Sequence, residues 1–190
     1  MSSDYFYEES YKNKDFASQE IIKGDYECCT FTGCVFSGCN LSMIKFIDSN
    51  FIDCDFSNAN ITKTSFQDVE FKNCKLLGLR FDSSSDFGFA ATFNSCRLNH
   101  SSFYNMKLSR SKFIECVLHD VDFSQADLRL VSFCKSDMLN AIFDGSNLEK
   151  SDFRGAINYA FDPEHNRIKG ARFSMPEVVG LLSKYGIVIE

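Results

Sequence analysis

From Phe31 the sequence keeps a five-residue beat. Every fifth residue is large and apolar: Phe36, Leu41, Phe46, Phe51, Phe56, Ile61, Phe66, Phe71, Leu76 and Phe81. After one interruption the beat resumes at Phe93 and runs through Leu98, Phe103, Leu108, Phe113, Leu118, Phe123, Leu128, Phe133, Met138, Phe143 and Leu148 to Phe153. Neither a 3.6-residue helix nor a two-residue strand alternation can hold such a beat over this length. A coil with regular corners can, so internal repetition decides the fold class before any single element is assigned. Two residues before the large position stands a small one, as at Cys34, Cys54, Ala59, Thr64, Ser101 and Ala126, with Ile44, Leu79 and Met106 as larger exceptions. In an extended segment residues i−2 and i point to the same side. A small and a large side chain therefore face inward together, and the polar residues between them, such as Asn40, Asp55, Asn60, Asp122 and Asp127, face water.

The beat also explains a composition with 21 phenylalanines, no tryptophan and 2 prolines in 190 residues. The segments Ala59-Asn60-Ile61-Thr62-Lys63, Ala126-Asp127-Leu128 and Ser146-Asn147-Leu148 spell small, Asn/Asp, large apolar, then polar. By these pentads the chain resembles the pentapeptide-repeat family over residues 26–156. The resemblance implies an all-β fold, a right-handed quadrilateral β-helix (a pentapeptide-repeat solenoid) in which four pentads make one square coil. Residues 20 apart should then stack, or 22 apart across the interruption. The column Phe31, Phe51, Phe71, Phe93, Phe113, Phe133, Phe153 is phenylalanine throughout, and Cys34, Cys54, Cys74, Cys96, Cys116 form a second column that continues as Ser136 and Ala156.

The expected organisation is a β-helix over 1–156 with a break at 82–92, followed by a C-terminal cap over 157–190. Because Lys14, Gln19 and Gly24 fill the small inward slot, residues 1–15 are expected as a loose N-terminal cap and 16–30 as a first, imperfect coil. In the break, Phe87 and Phe89 are expected to plug a gap in the core. In the cap, Ser174 and Glu177 read as a capping box that opens a short helix carrying Val178, Val179, Leu181 and Leu182, with Gly186 at its stop.

Composition and motif content argue against several kinds of chemistry. The formal charge is −6, opposed to direct nucleic-acid binding, which depends on lysine and arginine displacing counterions. No run reaches the ~18 apolar residues of a membrane span, and Met1–Ser10 has neither the basic nor the apolar part of a signal peptide. A cytoplasmic location with reduced thiols is the expectation. Most of the nine cysteines fall in the inward slot and read as core, in line along one face and not as a tetrahedral metal cluster. His100, His119 and His165 lie at outward or tail positions. No phosphate loop, nucleophile elbow or zinc-protease motif is present. The expectation is a protein that is not an enzyme, with no catalytic residue, no cofactor and no metal.

Residues 121–165 hold eight carboxylates against four lysines and arginines, a local charge of −4. Asp122, Asp127, Asp137, Asp144, Glu149 and Asp152 are accordingly expected to form an acidic partner surface. The ending, with Tyr159-Ala160-Phe161-Asp162-Pro163, Asn166-Arg167, Ala171-Arg172-Phe173, Pro176-Glu177, Leu181-Leu182 and Gly186, resembles the branch of the family that holds albicidin-resistance and microcin-immunity proteins, relatives of the Qnr quinolone-resistance proteins. That resemblance implies a rod whose acidic surface mimics DNA toward DNA gyrase or topoisomerase IV, and a homodimer through the C-terminus. The apolar residues Val178, Leu181, Leu182, Tyr185, Ile187 and Ile189 are the expected dimer interface, being too many for one chain to bury under a short helix. The alternative is a scaffold that binds an unrelated protein through the same rod.

Overall fold

The structure, a computed structural model, describes residues 4–188. It contains ten short strands: β1 (Asp4–Tyr7), β2 (Ser10–Lys12), β3 (Gly24–Glu27), β4 (Thr30–Thr32), β5 (Lys45–Ile47), β6 (Asn50–Ile52), β7 (Ser65–Gln67), β8 (Val69–Lys72), β9 (Ala91–Asn94) and β10 (Lys112–Ile114). All pair in parallel, in the orders β1-β3-β5-β7 and β10-β9-β8-β6-β4-β2. The register is 20 residues per step, as in Phe31↔Phe51↔Phe71, and 22 across the interruption, where Phe71 pairs with Phe93. Two further ladders of single parallel bridges, Asp15↔Val35↔Asp55↔Lys75↔Arg97↔Val117↔Asp137↔Ile157 and Arg80↔Ser102↔Asp122↔Ile142, complete a four-sided parallel β-solenoid.

The interior follows from the two inward positions. Rings from Tyr11 through Phe31, Phe51, Phe71, Phe93, Phe113, Phe133 and Phe153 to Phe173 form an unbroken stack, with centroids 4.8–5.3 Å apart. This spacing is the ~4.8 Å of neighbouring strands, so the backbone ladder and the ring stack share one repeat. Adjacent columns meet edge to face, as Phe103 and Phe113 do at 5.3 Å and 85°, the arrangement favoured by ring quadrupoles.

The small inward slot supplies hydrogen-bond donors. Thr64 Oγ1 donates to the Leu41 carbonyl at 2.8 Å, Ser136 Oγ to Phe113 at 3.2 Å and Ser146 Oγ to Phe123 at 2.8 Å. Each pairing reaches back 23 residues, to the large position on the preceding face of the coil before. Cysteine fills the same role: Cys54 Sγ lies 3.4 Å from the Phe31 carbonyl and Cys74 Sγ 3.3 Å from that of Phe51. Cys34, Cys54, Cys74, Cys96 and Cys116 line one face as free, buried thiols. The neighbouring Cys74 thiol and burial hold Cys54 far above the usual thiol range. A ladder with no accessible thiolate is inert packing material.

The corners need backbone in the left-handed region, which explains their Asn, Asp and Gly. In one corner column, Asn13, Gly33, Asp53 and Asn73 have φ of 51, 62, 55 and 54°. There the side-chain carbonyl or the absent Cβ makes positive φ tolerable.

Three boundaries differ from the sequence-based expectation. Residues 4–15 are no loose cap: β1 and β2 are in full register with β3 and β4. Gly24 is tolerated in the small slot because the Asp4 carbonyl lies where a Cβ would project. At the other end the coil continues past Ala156, since Asn147 bridges Arg167 and Asp152 bridges Arg172, with Ile168 and Phe173 packed on the core. The capping box does not form. The terminal helix is a 3-10 helix, Glu177–Tyr185, that follows Pro176 with no side-chain cap, and Ser174 Oγ instead accepts the Gly155 N–H at 3.0 Å.

Candidate protein-binding surface

The four flat faces can be named by their first strong column: the Phe31, Phe36, Leu41 and Phe46 faces. Consecutive pentads fall on consecutive faces, so charges close in sequence point in different directions. Charges 20 residues apart share a face.

The carboxylates expected to form one acidic surface are separated by this rule. Asp152 lies on the Phe31 face, Asp137 on the Phe36 face, Asp122 and Asp144 on the Leu41 face, and Asp127 and Glu149 on the Phe46 face, as their ladders show. Most also have internal partners. Asp127 receives Arg129 through two hydrogen bonds of 2.8 and 2.6 Å, and Asp152 receives Arg154 at 2.9 and 2.7 Å. These arginine forks hold both carboxyls below the usual carboxylate range. Glu149 accepts from Arg167 at 2.8 Å, Asp137 from Asn158 at 2.8 Å, and Asp122 from the Ser124 N–H at 2.8 Å. Asp144 is exposed, with His165 Nδ1 at 3.8 Å.

The acid that does converge lies elsewhere. On the N-terminal half of the Phe46 face stand Asp4, Glu8, Asp25, Glu27, Asp48, Asp68 and Asp86 against Lys45 alone, a net −6. Over the same residues, 4–90, the other three faces together sum to zero. Asp25 takes Lys45 at 2.7 Å and Asp68 takes Arg110 at 2.6 Å. Asp4, Glu8, Asp48 and Asp86 have no salt-bridge partner among the described residues. Glu8, Asp48 and Asp68 rise along a single corner. Beyond Asp86 the same face reverses sign: Lys107, Arg110, Arg129, Lys150, Arg167 and Lys169 stand against Asp127 and Glu149, a net +4.

The interruption sits at the change of sign. Phe89 closes the core, 4% exposed and within 6.3 Å of the Phe66 and Phe81 rings. Phe87, expected to plug the core beside it, is instead 78% exposed on the surface. Two residues beyond the regular repeat cannot both return to the interior, and the pair Phe87-Gly88 takes up the excess.

Comparison with known proteins agrees with this architecture. The model of the family described as pentapeptide repeat region matches residues 25–85 and 89–154, with the tip of the interruption, residues 86–88, between the two matches. The chain belongs to the pentapeptide-repeat family. Solved structures similar to this pentapeptide-repeat protein include two trypsin-treated forms of QnrB1, described as a plasmid-mediated fluoroquinolone resistance protein. One has a TM-score of 0.66 at 18% identity, covering 100% of this chain and 99% of that one. The other has a TM-score of 0.60 at 20% identity, covering 100% and 92%. HetL from the cyanobacterium Nostoc, described as involved in heterocyst differentiation regulation, has a TM-score of 0.54 at 14% identity, covering 90% and 85%. No curated protein matches the sequence. These likenesses establish the shared solenoid.

At the C-terminal end the 3-10 helix of this pentapeptide-repeat protein lies across the last coil. Gly180 approaches the Tyr159 carbonyl so closely that no Cβ would fit, and Leu181 packs on the core. Of the expected dimer residues, Val178 and Leu181 are half-buried, whereas Leu182, Tyr185 and Ile187 are exposed, together with Val179 and Val188. Ile189 lies outside the described residues. Among the described residues no His/Cys/Asp/Glu group could hold a metal ion, and no helix is long and apolar enough to cross a membrane.

Proposed function

We propose that this chain is a protein-binding solenoid that engages DNA gyrase or topoisomerase IV by imitating DNA, and so protects the enzyme from quinolone-type poisons or toxins. The observation that carries the reading is the linear charge density of the Phe46 face. Its net −6 extends over four layer steps of ~4.8 Å, about one negative charge per 3 Å. A single DNA strand carries one per ~3.4 Å. A basic groove built for a phosphate backbone would meet the same field on a rigid rod, without needing to read bases.

The description of QnrB1 as a fluoroquinolone resistance protein supports the choice of target. Pairing of two chains through Leu182, Tyr185 and Ile187 would cover the apolar end and lengthen the rod for an extended groove. The test is direct binding to purified gyrase. The chain should bind at 50 mM salt, lose affinity steeply by 200 mM as counterion release requires, and be displaced by duplex DNA. No binding to an active gyrase at either salt, or binding that DNA does not disturb, would overturn the DNA-mimic reading.

A further inference from the structure

We infer that the Phe46 face is self-complementary, and that a second copy of this chain pairs with it side by side and antiparallel. This inference does not rest on the identity of the outside partner, which would bind the acidic half in competition with the second copy. Three features of the face coincide. Its layers centre on Phe6, Tyr26, Phe46 and Phe66 before the interruption and on Leu108, Leu128, Leu148 and Ile168 after it, four on each side of Phe89. Those layers sum to −5 on one side and +4 on the other, with Asp86 in the central layer. At the midpoint stands Phe87, at 78% the most exposed large apolar side chain of a face that also presents Tyr5, Tyr7 and Leu130.

A two-fold axis lying in the face and crossing the rod at the interruption maps each layer onto its counterpart. Phe87 then meets its own copy, the acidic layers face the basic ones, and Glu27 faces Lys150, neither of which has a salt-bridge partner among the described residues, whereas Lys45, Asp68, Arg110 and Asp127 are already paired within one chain. Such an isologous contact closes on itself as a dimer. It has an apolar centre surrounded by complementary charge, the usual distribution of binding energy in an interface. A parallel arrangement of the same faces would set the two acidic halves against each other. Nucleic acid would meet the acidic half unfavourably, and a basic groove would cover the acidic half alone, in competition with the second copy.

Zero-length carbodiimide cross-linking of the full chain tests this. Glu27 and Lys150 sit six layers apart, ~29 Å at ~4.8 Å per layer, so a direct amide between them cannot form within one chain and reports contact between two. We expect the Glu27–Lys150 linked peptide at low ionic strength, its loss in ~1 M salt, where charges are screened beyond ~3 Å, and at least about a tenfold reduction in Phe87→Ser. Phe87 is exposed, so that substitution leaves the core intact. Absence of the link at low salt, or a link that Phe87→Ser leaves undiminished, overturns the inference. Cross-links confined to the C-terminal caps overturn it too, while supporting the end-to-end dimer.

Discussion

Phe113→Ala is expected to destabilise the protein by about 3–5 kcal/mol, the cost of a large-to-small change at a rigid core site. Phe113 has no exposed surface and lies in the continuous stack, 4.9 Å from Phe93 and 5.3 Å from Phe133, with the edges of Phe103 and Phe123 against it. The cavity cannot collapse, because each neighbouring ring is held by its own strand register. In a solenoid each layer depends on the next, so the loss should be felt as a break in the middle of the rod. Chemical denaturation would show a lower midpoint, and hydrogen exchange would rise most in the coils around residue 113. Phe87→Ala, made beside it, should change stability little, because that ring contributes nothing to the core.

Leu182→Asp is expected to turn a dimer into a monomer. In the intact chain Leu182 is 40% and Tyr185 57% exposed on the outer side of the terminal helix, while Leu181 on its inner side holds the helix to the last coil. A buried carboxylate at the centre of a paired apolar patch would be left without a partner, a penalty of several kcal/mol. Light scattering in ~1 M salt isolates this end-to-end contact, since charge-driven side-by-side pairing is screened there. A monomeric mass for the intact chain under those conditions would remove the C-terminal dimer.

Much of this architecture is legible from the residues because a solenoid translates sequence period directly into column. The Phe31 column and the cysteine ladder are each one inward position repeated, and the 22-residue step across the interruption appears in the sequence as it does in the register. The ends were harder to read. Lys14, Gln19 and Gly24 break the small-inward rule, yet the first coil forms because a strand at the edge of the rod needs only one neighbour to set its register. Ser174 and Glu177 have capping-box spacing, but the Gly155 N–H reaches the Ser174 hydroxyl first.

The acidic surface shows the clearest failure and its cause. A window along the sequence adds up neighbours, and in a four-sided coil neighbours belong to different faces. Residues 121–165 look acidic in such a window, yet Asp122, Asp127, Asp137 and Asp152 point four ways and most are tied to adjacent arginines or amides. Summing every fourth pentad instead separates the Phe46 face, with Asp4, Glu8, Asp25, Glu27, Asp48 and Asp68 on one half and the lysines and arginines on the other. That signal was present in the sequence, readable only with the four-fold coil in hand. The exposed Phe87 was not readable, because a periodic rule says nothing about which of two extra residues the coil expels.

The central claim is that the acidic half of the Phe46 face is the part that meets a topoisomerase. Its most direct test is gyrase supercoiling in the presence of an inhibiting quinolone, with the intact chain, with a Glu8→Lys and Asp48→Lys double variant, and with an Asp122→Lys and Asp144→Lys double variant. Lysine already occupies the same left-handed corner conformation at Lys63 and Lys150, so the first pair changes charge without breaking the coil. Restored supercoiling with the intact chain and with the Asp122/Asp144 variant, but not with the Glu8/Asp48 variant, is the predicted result. Equal protection by all three proteins, or protection by none, would contradict it.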